Sequence, residues 1–198
     1  PAADRAVLAA QTSQARLTVD AVQTARDGTR KLRLRTAEGA ALESVLIPND
    51  ERGYTQCISS QIGCALTCRF CATASLGFQR NLATWEIVDQ VLHILNEADR
   101  PVRGVVFMGM GEPLLNYANA TRAARIMCHP AGCAISGRSI TFSTAGWVPG
   151  IKKYIADDLP YRLAFSITSA IPEKRLKVLP VENTHPLPTL DRQVSWSE

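Results

Sequence analysis

"CISSQIGCALTCRFCATASLGFQRNL", residues 57–82, holds four of the six cysteines of the chain, all within its first fifteen residues. Cys64, Cys68 and Cys71 are crowded together, and Cys57 stands seven positions upstream. Structural zinc usually takes four protein ligands, whereas this loop offers three clustered thiols and no histidine. A four-iron cluster held by three cysteines leaves one iron open for a substrate or cofactor. The spacing therefore favours an iron-sulfur centre with an open iron.

Strand and helix patterns alternate after Cys71. Residues 84–95 carry apolar side chains at helical spacing, and Thr84 is a candidate cap for this helix. Further helical stretches lie near residues 118–127 and from about Val148. This order predicts parallel strands joined by right-handed crossovers. The strand patterns between the helices are "GVVFMGMGEP", "SITFSTAG" and "YRLAFSIT".

Ligands of such α/β folds bind at the carboxyl ends of the parallel strands. The segments that fall at predicted strand ends are the cysteine loop and residues 109–113, 143–146 and 166–169. We therefore expect the site to be built from these segments.

The residues before the cysteines predict a small antiparallel β unit. Short alternating stretches run from residue 16 to 47, and Asp27-Gly28 marks a turn. We divide the chain into an N-terminal β unit at 1–52 and a core at 53–198. Lys31, Arg33 and Arg35 would share one strand face, which suits either an RNA backbone or a solvated edge strand.

The composition is that of an ordinary globular protein. Hydrophobic residues make up 46% and charged residues 20%, and the net charge is +4. No apolar run approaches the roughly 18 residues of a membrane span, so we expect a cytoplasmic protein with no membrane partner. The positive charge is compatible with a nucleic-acid partner without proving one.

Several motifs together carry a family resemblance that covers about residues 27–187. "SSQIGCALTCRFC", "GFQRNL" and "MGMGEPLLN", followed by "ITFSTAG" and "PVEN", resemble the RlmN/Cfr family of radical S-adenosylmethionine (SAM) RNA methyltransferases, the RlmN type most of all. The resemblance implies a radical SAM (β/α) barrel, a [4Fe-4S] cluster and SAM. It also implies a flavodoxin- or ferredoxin-type reductant and methylation of an adenine in 23S rRNA, at C2 for RlmN and C8 for Cfr, with some tRNAs as RlmN substrates.

The cofactor residues carry over onto matching positions. Cys64, Cys68 and Cys71 match the cluster ligands of the family. Gly111 and Glu112 match the loop that meets the methionyl end of SAM, where a carboxylate can receive an ammonium. The further positions that match SAM contacts are Ser143 and Ser166, and Thr168 stands where family members have histidine, which puts that contact in doubt.

Two residues match catalytic positions of the family. Glu43 matches the proton acceptor. In the family one cysteine is methylated by SAM, a deoxyadenosyl radical removes hydrogen from that methyl, and a second cysteine resolves the protein-RNA adduct by forming a disulfide with the first. Cys57 matches the resolving cysteine, and Cys128 and Cys133 do not match the methyl-carrying one. We therefore expect a partial, truncated barrel after a small β unit, monomeric and inactive as an incomplete fragment.

Two other classes of protein stay open on the residues alone. An iron-sulfur electron-transfer or scaffold protein would hold the cluster without binding SAM, and it gives no reason for "GMGEP". An RNA-binding module with structural zinc would hold a tetrahedral metal and lack iron.

Overall fold

Five strands are followed by alternating helices and strands in the part of the chain that the computed structural model describes, which is residue 7, residues 16–50 and residues 53–191. The strands in this part are β1 (Thr18–Thr24), β2 (Arg30–Arg35), β3 (Ala41–Pro48), β4 (Tyr54–Cys57), β5 (Gln61–Gly63), β6 (Phe78–Asn81), β7 (Val102–Phe107), β8 (Ile140–Thr144) and β9 (Arg162–Phe165). The helices are α1 (Ala72–Ser75), α2 (Thr84–Glu97), α3 (Tyr117–Cys128), α4 (Val148–Ala156), α5 (Pro172–Val178) and α6 (Leu187–Asp191), with short 3-10 helices at Gly137–Ser139 and Pro180–Asn183.

One mixed sheet with the order β1-β2-β3-β4-β7-β8-β9 organises these elements, and β5 and β6 form a separate hairpin. Strands β1 to β4 pair antiparallel, whereas β4, β7, β8 and β9 pair parallel. The predicted N-terminal antiparallel unit and the predicted parallel core are therefore both confirmed. Among the described residues the sheet stays open, with β1 and β9 at its edges, so the α/β class is confirmed and no closed barrel forms there.

Strand β4 joins the two halves of the sheet. Its Cys57 lies opposite Val45 of antiparallel β3 and opposite Val106 of parallel β7. The predicted domain boundary falls between residues 52 and 53, next to residues outside the described part. Because β3 and β4 pair directly across it, the two predicted units share one continuous sheet, and the division into domains stays a prediction.

The two faces of the sheet differ in burial. On one face Leu46, Val105 and Phe142 are fully buried beneath the helices, and the Phe142 ring lies 5.7 Å from the ring of Tyr154 on α4. The alternate positions point to the opposite face and are partly exposed. This pattern follows from the two-residue period of a strand. We call this less buried side the free face of the sheet. The residues on the free face include Glu43, Val45, Cys57, Val106, Thr141 and Ser143.

The N-cap of helix α2 lies one residue before the position that the sequence suggested. Ala83 is the N-cap, and Glu86 reaches back to accept its backbone N–H at 2.7 Å. Thr84 is the first helical residue, and its hydroxyl contacts Asn119 Oδ1 at 3.0 Å. The prediction that Thr84 caps the helix was wrong because the carboxylate three residues into the helix satisfies the free N–H instead.

In the hairpin β5–β6 the backbone just before the cysteine loop, at Gly63 and Cys64, packs closely against the backbone just after it, at Gly77. The backbone N–H of Cys64 donates to the carbonyl of Gly77 at 3.1 Å. Gly63 has a φ of +74°, and a Cβ on it would lie 1.7 Å from the Gly77 oxygen. Glycine is therefore required at position 63 by both conformation and space.

We expect Gly63→Ala to destabilise the chain by about 3 kcal/mol or more, because it adds a backbone clash to left-handed strain. The matched control is Gly39→Ala, since Gly39 has a φ of +85° but nothing within 4 Å of its Cβ position. The control should cost only about 1–2 kcal/mol. Urea unfolding of both variants measures the difference, and equal losses would contradict the close approach.

Candidate active site

A cavity of about 280 Å³ lies between the cysteine loop and the carboxyl ends of β7, β8 and β9. Most of the predicted cofactor residues line it, although they come from segments up to about a hundred positions apart. Apolar walls are supplied by Leu66, Phe70, Met108 and Leu179. The predicted residues that line this cavity are Cys64, Cys68, Cys71, Gly111, Glu112, Ser143 and Ser166.

Backbone hydrogen bonds hold the cysteine loop in shape. The N–H of Cys71 donates to the carbonyl of Cys68 at 3.1 Å, and the N–H of Arg69 donates to the carbonyl of Val178 at 2.9 Å. The N–H of Leu66 points at the Cys64 sulfur at 3.4 Å. These bonds fix the loop both locally and against the end of α5.

Burial and neighbouring charges change the pKa values of thiols in the cysteine loop. Burial raises the pKa of Cys64, and it raises the pKa of Cys68 to about 11 with help from the charges of Cys64, Cys71 and Glu112. Bound iron would reverse this tendency, because a coordinating thiol is deprotonated.

The described residues contain no group of three or more His, Cys, Asp or Glu side chains arranged to hold a single metal ion. A four-iron cluster asks for a different arrangement, since each thiolate binds a different iron. Three thiols that line one cavity could each bind one iron and leave the fourth iron facing the cavity, so they fit the cluster that the motif predicted.

Glu112 is a buried carboxylate with fixed orientation. Its side chain accepts the Leu114 N–H at 3.1 Å and the Ala145 N–H at 2.9 Å, and the residue is only 4% exposed. Burial raises the pKa of Glu112 from its ordinary 4.5 to about 7, while the two backbone bonds act in the opposite direction. A carboxylate this costly to bury is stabilised by a cation, such as the ammonium of an amino acid.

Gln61 joins the cysteine loop to the Glu112 loop. Its amide oxygen accepts the backbone N–H of Glu112 at 3.0 Å and that of Ala65 at 3.4 Å. Its amide nitrogen donates to Asn81 Oδ1 at 2.8 Å. Sequence reasoning assigned no role to Gln61 or Asn81. Their places in "SSQIGC" and "QRNL" were the available signal, because both stretches carried the family resemblance.

Gly111 owes its identity to the same contact. A Cβ on Gly111 would lie 2.6 Å from the Cβ of Gln61, and the φ of Gly111 is +100°. The glycine therefore lets the Glu112 loop pass directly over the buried glutamine.

Cys57 lies at the rim of the cavity and does not line it. Its sulfur accepts the backbone N–H of Met108, which does line the cavity, and burial raises the pKa of the Cys57 thiol. Glu43 is on the same free face of the sheet, with its carboxylate 3.0 Å from Lys31 Nζ. Thr168 also does not line the cavity. It has a φ of +57°, and its hydroxyl donates to the Ile167 carbonyl at 2.6 Å.

All six cysteines are free thiols. The disulfide implied by the family mechanism therefore has no counterpart in this structure. Cys128 and Cys133 pack against the hydrophobic core and do not line the cavity, in keeping with their failure to match a family position.

The cations of β2 are paired on the sheet surface. Lys31 contacts Glu43, and Arg33 and Arg35 both contact Asp20 at 2.6 and 3.0 Å. Of the two interpretations left open by the sequence, this pairing favours the solvated strand face.

None of the helices in the described residues combines the length and apolarity needed to span a bilayer.

A three-thiol loop and a buried carboxylate at the carboxyl ends of parallel strands define the class of enzymes that pair an iron-sulfur cluster with an amino-acid-bearing cofactor. The sequence profile described as "Radical SAM superfamily" matches residues 58–179, which is more than half of the chain. The chain belongs to the radical SAM superfamily. This membership implies a [4Fe-4S] cluster and SAM, and the cavity residues fit both.

Individual relatives confirm the resemblance to the RlmN type. The chain is 62% identical over 166 residues to a "Probable RNA methyltransferase" of Myxococcus xanthus, covering 84% of this chain and 46% of that protein. It is 45% identical over 174 residues to the "Dual-specificity RNA methyltransferase RlmN" of Geobacter sulfurreducens, covering 88% and 47%. The chain thus spans about half the length of these relatives.

A solved structure shares the fold. The crystal structure of a radical SAM methyltransferase from Sphaerobacter thermophilus superposes with a TM-score of 0.89 at 36% identity. The match covers 98% of this chain and 57% of that one.

We expect Cys68→Ala to prevent assembly of a stable four-iron cluster, because each thiol of the loop would bind its own iron. Cys128→Ala is the matched control, since its thiol lies away from the cavity. Iron and sulfide analysis after anaerobic reconstitution measures the result. Equal loading of the two variants would refute the ligand assignment.

If Glu112 receives the ammonium of SAM, SAM binding should weaken as pH falls through 7, because only the ionised carboxylate would attract that ammonium. With a pKa of about 7, the ionised fraction and hence the affinity should fall roughly eightfold between about pH 7.5 and pH 6. Calorimetry on the reconstituted protein measures this, and Glu112→Gln should bind roughly tenfold to a hundredfold more weakly with little pH dependence. A Glu112→Gln variant that keeps the pH dependence would assign the titration to another group.

Proposed function

We propose that this chain carries the cluster- and SAM-binding core of an RNA methyltransferase of RlmN type, which methylates C2 of an adenine in 23S rRNA and in some tRNAs. The observation that carries the proposal is the single cavity lined by three thiols and the buried carboxylate of Glu112. The names of the relatives support the substrate class, since both describe RNA methyltransferases and one is a dual-specificity RlmN. A scaffold or electron-transfer protein would have no use for the Glu112 site.

The cavity residues divide the binding task among them. Cys64, Cys68 and Cys71 hold the cluster, which together with SAM supplies a radical able to remove hydrogen from an unreactive methyl group. Glu112 receives the ammonium of SAM, and Gly111 keeps the loop free of a side chain at that point. The serines that complete the pocket are Ser143 and Ser166.

Cys57 and Glu43 serve the RNA side of the reaction in this proposal. Both lie on the free face of the sheet, and Val45, two residues after Glu43, is paired with Cys57. Cys57 is the resolving thiol, and its raised pKa keeps it protonated in the resting protein. Glu43 accepts a proton from the adenine, for which it would exchange its contact with Lys31 for one with the substrate. Thr168 has no assigned SAM contact, because it does not line the cavity.

The methyl-carrying step needs a second thiol near Cys57. Cys128 and Cys133 pack against the core and do not line the cavity, which argues against either of them as this second thiol. We infer that the methyl-carrying cysteine, and with it the transient disulfide to Cys57, belongs to a segment other than these 198 residues.

The proposal extends to partners. Residues 57–82 contain no aspartate or glutamate, and Arg69 of the cluster loop is exposed, so this loop suits an acidic electron donor of flavodoxin or ferredoxin type. We place the enzyme in the cytoplasm as a monomer.

Spectroscopy of the reconstituted protein tests the proposal. The protein is reconstituted anaerobically, and absorption and electron paramagnetic resonance spectra are recorded with and without SAM. The proposal expects a four-iron signal that SAM alters. A cluster that ignores SAM would favour the scaffold protein, and a colourless protein that holds zinc would favour the zinc module.

The 198-residue chain alone should yield no methyladenine from a 23S rRNA fragment, because the reaction needs two thiols and the site supplies one. Fusion to the carboxyl-terminal segment of the Myxococcus xanthus relative should restore methylation, detected by mass spectrometry of the digested RNA. Within that fusion Cys57→Ala should remove turnover, whereas Cys133→Ala should leave it unchanged. Methylation by the chain alone would refute the division of thiols.

A further inference from the structure

Arg175 is a fully buried arginine beside the cavity. It lies on α5 with 1% of its surface exposed. Glu182, in the 3-10 helix Pro180–Asn183, is also buried and accepts a hydrogen bond from Arg175 Nη1. The carboxylate of Glu182 additionally accepts the backbone N–H of Leu187 at 3.0 Å. The charge of the guanidinium is therefore neutralised inside the protein, without solvent.

Two further donors of Arg175 bind two strand-end loops. Nη2 donates to the Ala145 carbonyl at 2.6 Å, and Nε donates to the Ile167 carbonyl at 3.1 Å. Ala145 follows β8 directly, and Ile167 lies two residues after β9. One planar side chain thus connects the ends of two neighbouring parallel strands, which a rigid fork of donors does better than a single ammonium.

These loops form the wall of the cavity. Ser143, Ala145 and Ser166 all line it. The backbone N–H of Ala145 holds Glu112 at 2.9 Å, so the residue that Arg175 binds is the residue that orients this carboxylate.

The second loop contains strained backbone. Thr168, next to Ile167, is a β-branched residue with a φ of +57°, a conformation that persists only when its surroundings enforce it. The Nε bond to the Ile167 carbonyl enters this turn directly and is one of the contacts that hold it.

We propose that Arg175, neutralised by Glu182, is a positioning residue for SAM: it sets the spacing of the β8 and β9 loops and, through Ala145, the orientation of the Glu112 carboxylate. Arg175 does not itself contact SAM. The inference deepens the proposed function and rests on it. Well-packed apolar residues could replace a buried ion pair without loss of stability, so what the pair adds here is its directed bonds to the two loops.

Two sets of substitutions separate positioning from folding. Arg175→Lys keeps a cation beside Glu182, but its three N–H donors sit on one nitrogen and cannot span the acceptors that Arg175 reaches from three separate nitrogens. The double variant Arg175→Met with Glu182→Gln removes both charges and leaves an amide oxygen for the Leu187 N–H. Arg33→Lys is the control, because it changes an arginine paired with Asp20 on β2, away from the cavity.

The first measurement needs neither cluster nor SAM. Amide hydrogen exchange of residues 145–147 and 166–169 should become faster in both Arg175 variants, at temperatures where the chain is fully folded, and stay unchanged in Arg33→Lys. Unchanged exchange of both loops would overturn the inference. If the double variant unfolds, the comparison of Arg175→Lys with Arg33→Lys decides it.

The second measurement uses the reconstituted protein. Iron content should match that of the parent chain, while SAM affinity falls about tenfold and the SAM-dependent change in the paramagnetic resonance spectrum requires more SAM. A merely structural role would lower cluster loading together with SAM binding, and that result would overturn the inference. If the Arg175 variants bind SAM as tightly as the parent chain, the inference about Arg175 is overturned and the proposed function stands. If the parent chain holds the cluster but does not bind SAM, the proposed function is overturned as well.

Discussion

The amide of Gln61 makes the contact on which the rest of the site depends. Its oxygen accepts N–H groups from the cysteine loop and from the Glu112 loop, which are separated by about fifty residues in the chain. A buried amide that bonds both loops helps to fix them, because losing either bond would leave a buried polar group without a partner. The spacing between the cysteine loop and the Glu112 loop therefore depends on this one side chain. Glycine at position 111 follows from the same contact.

A second set of bonds fixes the other side of the cavity. Arg175 binds the loops after β8 and β9, and Ala145 passes that constraint to Glu112. Glu112 is thus held from both directions, by its own backbone through Gln61 and by its carboxylate through Ala145. Such preorganisation matters for a cofactor that has to be presented to a cluster in one orientation. It also explains why a costly buried carboxylate is retained in this position.

The two faces of the sheet carry different kinds of side chain. Helices cover one face, and the opposite face carries Cys57, Glu43 and Ser143 at alternate strand positions. Cofactor residues gather at the strand ends, while Cys57 stays on the face at the cavity rim. The upstream cysteine is separated from the other three because β4 turns its side chain toward this face, whereas the loop residues turn theirs into the cavity.

Local patterns in the sequence determined the antiparallel strands, the parallel core, the three-thiol loop and the strand-end position of Glu112, because residue period and ligand spacing are short-range properties. The order of β4 next to β7, the contacts of Gln61 and the role of Arg175 required the tertiary structure. Gln61 and Asn81 look like ordinary polar residues of a hairpin, and Arg175 looks like a surface arginine of a short helix. The partners that tie separate segments together are distant in the chain: Asn81 and Glu112 lie 20 and 51 positions from Gln61, and Ala145 lies 30 positions from Arg175. No short-range period encodes which distant backbone groups will be left needing a donor or an acceptor once the strands have paired.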